Sequence, residues 1–318
     1  MTVRAEYALH GLAVHSDIPL PDARPADGSS GEALTVVLAG ARPVPAEVPP
    51  GDVLAAEQHA SQPGHLFYVL VDRGHDDLVL RVFGVADVEL GRESETLTVR
   101  PSPCVDLDLL GVLVSGLVLG AVLLLRGHTV LHASAVEADG SCLVFTGYSG
   151  MGKSTLASLA CTAGGAFVTD DVLRLDRGPD GHPLARLGGI EARLRAQAAT
   201  LAIDARTTAD GRWATHLPVS DRDLLPVRSI LVPMPVHGDP DAAVAVRWLA
   251  PKEAVVTLAS LPRVAGWTDA VSSRTLFDGL CDVAMSVPIG LLTVPWGPPF
   301  AAGTAARVIE LALSARAS

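Results

Sequence analysis

The densest chemistry in this chain lies in nine consecutive residues, Gly147-Tyr148-Ser149-Gly150-Met151-Gly152-Lys153-Ser154-Thr155, which fit the phosphate-loop pattern GxxxxGK[ST]. Glycine at 147, 150 and 152 permits close backbone approaches that a side chain would block, so successive N–H groups can point at phosphate oxygens. A helix starting at Lys153 adds partial positive charge at its N-terminus. Lys153 is placed to reach the β- and γ-phosphates of a nucleoside triphosphate, and the Ser154 hydroxyl to hold Mg²⁺. The expected nucleotide contacts are therefore Gly147, Ser149, Gly150, Met151, Gly152, Lys153, Ser154 and Thr155. A plain glycine-rich turn would not need a lysine and two hydroxyls at these places. The chain has only two lysines, Lys153 and Lys252, among 24 basic side chains, which makes this one informative.

A short way on, Ala166-Phe167-Val168-Thr169-Asp170-Asp171 reads as a strand ending in two adjacent carboxylates. Beside a phosphate loop, one carboxylate can hold Mg²⁺, directly or through water, while its neighbour accepts the proton of an attacking hydroxyl. Upstream, His132 opens the stretch 131–136; taken alone it reads as a core or turn histidine.

Elements must bring these residues together. The run 141–146 reads as the strand feeding the loop, with the helix after Lys153 leaving it, and 130–136 reads as one strand before that. Strands are expected at 230–236, 243–249 and 289–294, and helices at 251–261, 271–285 and 304–315. Ahead of these lies a β-rich stretch, with strands at 34–38, 66–71, 78–83, 86–90 and 96–100 and a Pro/Ala loop near Pro43, Pro45, Pro49 and Pro50. Pro101-Ser102-Pro103 marks a boundary, so the expected organisation is a β-rich domain at 1–104 and an α/β nucleotide-binding domain at 105–318. The uncharged run 109–125 is close to the lower length limit for a membrane span. With glycines inside it and Arg126 closing it, it reads as a buried core helix.

Composition narrows the function. The 318 residues are 49% hydrophobic and 19% charged, which is globular rather than disordered. A net charge of −11 without a basic patch argues against nucleic acid as a partner. Cys104, Cys142, Cys161 and Cys281 show neither CxxC nor Cys/His ligand spacing, which speaks against a zinc site and a disulfide framework and fits a reducing cytoplasm. Residues 1–17 lack signal-peptide character. His59, His65 and His75 read as surface residues, and Trp213, Trp248, Trp267 and Trp296 as core or pocket walls.

With His132, the loop at 147–155 and Thr169-Asp170-Asp171 in this order and spacing, the chain resembles HPr kinase/phosphorylase and the related serine kinases. The resemblance implies an α/β, HPr-kinase-like phosphate-loop fold. It implies Asp170 as general base, His132 as its partner, Lys153 as phosphate clamp and Asp171 as an assistant at the metal. Ile190-Glu191-Ala192-Arg193 resembles the family's Glu-x-Arg element, which adds Glu191 to the metal shell with Ser154 and Asp171 and turns Arg193 toward phosphate. The opening stretch 10–21 is similar to that of kinases acting on lasso-peptide precursors at a C-terminal serine. The long glycine-rich substrate loop that follows Glu-x-Arg in that family has no counterpart here, so the resemblance does not carry over HPr as substrate, reverse phosphorylase activity or the hexamer.

The expected function is thus ATP- and Mg²⁺-dependent phosphoryl transfer to a serine or threonine hydroxyl of a peptide or small protein, in the cytoplasm. The β-rich domain would present the substrate, as an added edge strand, and a homo-oligomer is compatible with the sequence. A small-molecule hydroxyl kinase and a nucleotide-binding regulator stay open as alternatives, as does pyrophosphate or ADP as donor.

Overall fold

The computed structural model describes residues 4–26, 31–59, 62, 64–202 and 204–315. Residues 1–3 of the stretch 1–17 read above lie outside them. Contacts divide the chain into two compact units, Met1–His128 with Val264–Leu276, and Thr129–Arg263 with Phe277–Ser318. The boundary thus falls at 128/129, not at 104/105, because the apolar helical run belongs with the first unit. It runs as an α-helix Leu107–Leu113, a π-helical turn Val114–Val118 and a second α-helix Leu119–Leu125. Gly111 lets it close on the Pro19 carbonyl, where a Cβ would come within 2.4 Å. Beyond its end, Arg126 donates to the carbonyls of Ala33 and Ser94. By length and composition the run could cross a membrane, yet 72% of its most apolar window is buried in the protein.

The first unit is built on a nine-stranded sheet. Its later strands, Leu66–Asp72, Leu78–Val82, Ala86–Leu90 and Thr96–Pro101, fall where alternation places them. The strand Glu32–Leu38 does the same, whereas Ala5–Leu9, Leu12–Ser16 and Asp52–Gln58 were not legible as strands. The first two pair with each other as a hairpin across His10-Gly11, and the third pairs with Leu66–Asp72, the next strand in the chain. Asp52–Gln58 forms one edge of the sheet, and it is covered: Ala56 N–H donates to Gly266 and Thr268 N–H donates to Leu54. An edge strand added there would have to displace this segment. Inside the unit Arg81 makes two parallel bonds to Asp87, Nε to Oδ1 at 2.7 Å and Nη2 to Oδ2 at 2.8 Å.

The second unit is mixed α/β. A sheet runs in the order Thr129–Leu131, Leu173–Arg177, Pro183–Arg186, Leu224–Val236, Ser141–Thr146, Ala133–Ala138, Ala166–Thr169, with Ile289–Pro295 along the far half of Leu224–Val236. Ser141–Thr146, Leu224–Val236 and Ile289–Pro295 are parallel. One face packs Leu143, Phe145, Leu231, Leu292 and Val294 against Leu156 and Leu159 of the helix Lys153–Thr162 and Val308 and Ala312 of the helix Thr304–Leu313. Burial of several such side chains, about 1.5–3 kcal/mol each, is what seats the helix that begins at Lys153. The helices Pro251–Ala259 and Ala270–Ser286 match the expected spans within three residues. A separate three-stranded sheet, Glu191–Leu194, Trp213–His216 and Arg206–Thr207, was not foreseen.

Candidate active site

The stretch 130–136, expected as one strand, is broken at His132. Thr129–Leu131 pairs with Leu173–Arg177, while Ala133–Ala138 pairs with Ser141–Thr146 and Ala166–Thr169. A chain that changes partners at one residue must leave that residue out of both ladders, and the Thr146 hydroxyl holds it by donating to the His132 carbonyl at 3.0 Å. The break therefore hands His132 to the site.

The loop at 147–155 runs from the buried strand Ser141–Thr146 into the helix Lys153–Thr162. Gly150 and Gly152 both have φ of 91°, a region that costs other residues strain, and Gly152 is the residue before the helix. Lys153 folds back into the loop, donating from Nζ to the carbonyls of Gly147 at 2.8 Å and Tyr148 at 3.2 Å. Burial pulls its pKa down to about 8, with Asp170 and Asp171 opposing the shift and Arg263 and Arg212 adding to it. Arg195 Nη2 donates to the Ser149 hydroxyl at 3.0 Å, with its guanidinium over Gly150.

The two carboxylates part company at a tight turn. Val172 N–H donates to the Asp170 carbonyl at 2.8 Å, closing three residues with Asp171 at the centre at φ 71°. Asp170 faces the loop: its Oδ1 accepts from the hydroxyls of Ser154 at 2.8 Å and Ser134 at 2.5 Å, and its Oδ2 from the Arg193 N–H at 3.0 Å. Asp171 faces cations instead. Its Oδ1 lies 3.2 Å from His132 Nε2, and its Oδ2 accepts from Arg263 Nη2 at 2.8 Å and Arg193 Nη2 at 3.1 Å. Burial alone would raise the Asp171 pKa, but Arg263, the His132 hydrogen bond and Arg193 hold it well below the usual carboxylate range. Burial lowers the His132 pKa against the pull of Asp171, with Lys153 and Arg263 helping, which favours the neutral ring.

Two expected roles are thereby corrected. His132 partners Asp171 rather than Asp170. Asp171 has no contact with Ser154, and its oxygens are engaged by two arginines and the histidine, so it is not poised at a metal. Glu191 departs further: it is buried in the three-stranded sheet, bonded to Arg206 at 2.7 Å and 3.3 Å from His216. No three His, Cys, Asp or Glu side chains gather as a metal-holding group among the described residues. The oxygen beside the loop that suits Mg²⁺ is the Ser154 hydroxyl, because this ion commonly takes one or two protein oxygens and completes its shell with water and phosphate. Sequence reasoning missed Ser134, Arg195 and Arg263. Ser134 had a signal in alternation beside Ala133 and Ala135, whereas Arg263, 92 residues from Asp171, had none.

No family model matches the chain, and no curated protein matches it. Among solved structures, that of the Hpr(Ser) kinase/phosphatase from Coxiella burnetii is similar at 12% identity and a TM-score of 0.30, over 57% of this chain and 92% of that one. The likeness is distant and general. What the geometry shows is a lysine, two carboxylates, a histidine and at least three arginines converging on a glycine loop at a helix N-terminus. Such a site can hold a polyanion and accept a proton beside it.

Proposed function

We propose that this protein is an ATP- and Mg²⁺-dependent kinase acting on a serine or threonine hydroxyl of a peptide or small protein, with the C-terminal serine of a ribosomally made precursor as the first substrate to try. The observation that carries this reading is the division of labour between the carboxylates. Asp170 is aimed at hydroxyls beside the glycine loop, and Asp171 is reserved for His132, Arg193 and Arg263. A protein that only bound nucleotide would need no such acceptor.

Mg²⁺, when bound, supplies charge that offsets the developing negative charge on the transferred phosphoryl group. Ser154 is the residue that would hold it, with phosphate oxygens and water completing its shell. Loop N–H groups and Lys153 bind the phosphates, and Lys153 must exchange the carbonyls of Gly147 and Tyr148 for phosphate oxygens to do so. Arg263 Nε is buried without a hydrogen-bond partner, a donor that an anionic group would satisfy. Asp170 takes the proton of the substrate hydroxyl. The freed oxygen forms its bond to the γ-phosphorus as the bond to the β-bridging oxygen breaks, and ADP departs with that electron pair.

A second reading of the base is favoured by the His132–Asp171 pair. With the Nε2 proton on Asp171, Nδ1 of a neutral ring is left to accept. Intact-mass analysis of a serine-ended peptide incubated with enzyme, Mg²⁺ and ATP tests both. A gain of about 80 Da, absent with Lys153→Ala, establishes transfer. Asp170→Asn then abolishes it under the first reading, and His132→Ala under the second. No gain across a peptide panel while ATP is still bound would move the assignment to a small-molecule hydroxyl or a regulatory role.

A further inference from the structure

An aromatic pair stands on the same edge of the sheet as the glycine loop. Ser141–Thr146, Leu224–Val236 and Ile289–Pro295 are parallel, so the residues following each emerge at one carboxyl edge, where ligands of open α/β sheets collect. The first strand is followed by the loop, the second by His237 and the third by Trp296. Val236 lies opposite Pro295, and Trp296 N–H donates to the Val236 carbonyl at 2.8 Å, which continues the ladder and makes His237 and Trp296 neighbours. Their rings are 4.4 Å apart, tilted by 31°, and Trp296 is 42% exposed.

The face is also the loop's. Leu292 and Val294 pack with the helix Lys153–Thr162, and alternation puts Trp296, two residues past Val294, on their side. Leu224–Val236 runs five residues beyond Leu231, the partner of Phe145. At about 3.3 Å per residue that is roughly 16 Å of wall rising past the strand that feeds the loop. Phosphates seated on the loop would leave the rest of a nucleotide alongside this wall.

We propose that Trp296, backed by His237, is the ledge on which the base of the bound nucleotide stacks; the inference rests on reading residues 147–155 as a nucleotide-binding loop. Stacking recognises the π-face of any base, so the ledge takes ATP and GTP alike.

Calorimetric titration of the full chain with Mg²⁺ and either ATP or inorganic tripolyphosphate separates the two ideas. Trp296→Ala should weaken ATP about tenfold and leave tripolyphosphate unchanged, Trp296→Phe should restore most of the loss, and His237→Ala should give a smaller loss of the same kind. Lys153→Ala should weaken both ligands. If the wild-type protein binds both and Trp296→Ala leaves their affinity ratio unaltered, the ledge is wrong and the loop stands; a raised KM for peptide in that variant would then assign the indole to the acceptor. If the wild-type protein binds neither, the loop reading falls and the ledge with it.

Discussion

His132 Nε2 lies 3.2 Å from Oδ1 of Asp171, while the neighbouring Asp170 accepts from Ser154 on the glycine loop at 2.8 Å. One peptide unit thus separates a carboxylate that meets hydroxyls from one that meets cations. The turn at Asp171 is the cause, since adjacent side chains on either side of a reversal point to different surroundings.

Asp170→Asn removes the acceptor without removing the lysine or the loop. Transfer should fall about 10²–10⁴-fold, with ATP affinity changed far less, as read by single-turnover kinetics alongside calorimetry. Equal losses in both would make Asp170 a binding group only.

Asp171→Asn is expected to act on stability first. Asn tolerates the positive φ, so the change leaves the turn in place and withdraws the negative charge that Arg193 and Arg263 face, their side chains being 8% and 10% exposed; Arg193 keeps Asp210 at 3.6 Å. The loss should be about 3 kcal/mol in urea unfolding at pH 7. Because the folded-state pKa of Asp171 is depressed, its contribution is fully present above the unfolded value of about 3.9 and disappears as pH falls through the folded value. The gap between variant and wild type should therefore narrow in acid.

Lys153 should titrate near pH 8 in the free protein, since burial lowers its pKa to about 8. Below that pH it is charged and ready for phosphate; above it, binding must recover the proton first. Tripolyphosphate affinity should decline above pH 8 with net uptake of one proton or less, measured by calorimetry in buffers of different ionisation enthalpy. A pH-independent affinity between 7 and 9.5 would show that Lys153 stays charged.

Glu191→Gln discriminates between a metal ligand and a structural acid. Paired with Arg206 and close to His216, Glu191 should cost the fold about 1–3 kcal/mol when neutralised, with the Mg²⁺ concentration needed for half-maximal activity unchanged. A marked rise in that concentration, in a protein of normal stability, would return it to the metal shell.

In the first unit, Asp87→Ala leaves Arg81 buried without its two-pronged partner, although the Glu47 carbonyl still accepts from its Nη1. About 3–5 kcal/mol of destabilisation is expected, seen as a lower urea midpoint. A change under 1 kcal/mol would mean that water replaces the carboxylate.

Local pattern alone determined the loop and its flanking elements. Glycine spacing, Lys153 and the apolar run at 141–146 are adjacent in sequence and encode their own strand, turn and helix. The later strands of the first unit were legible for the same reason, because alternation is written into each segment. The break at His132 was not legible, since both halves of 130–136 are equally apolar and only their different partners divide them. The buried strand at Glu191 was hidden likewise, being paid for by Arg206 and His216 from other strands. Asp170 and Asp171 are chemically identical in the sequence. Which of them meets a hydroxyl and which meets Arg263 is decided by a three-residue turn and by a guanidinium 92 residues away, and charge pairing over that separation exists only once the chain has folded.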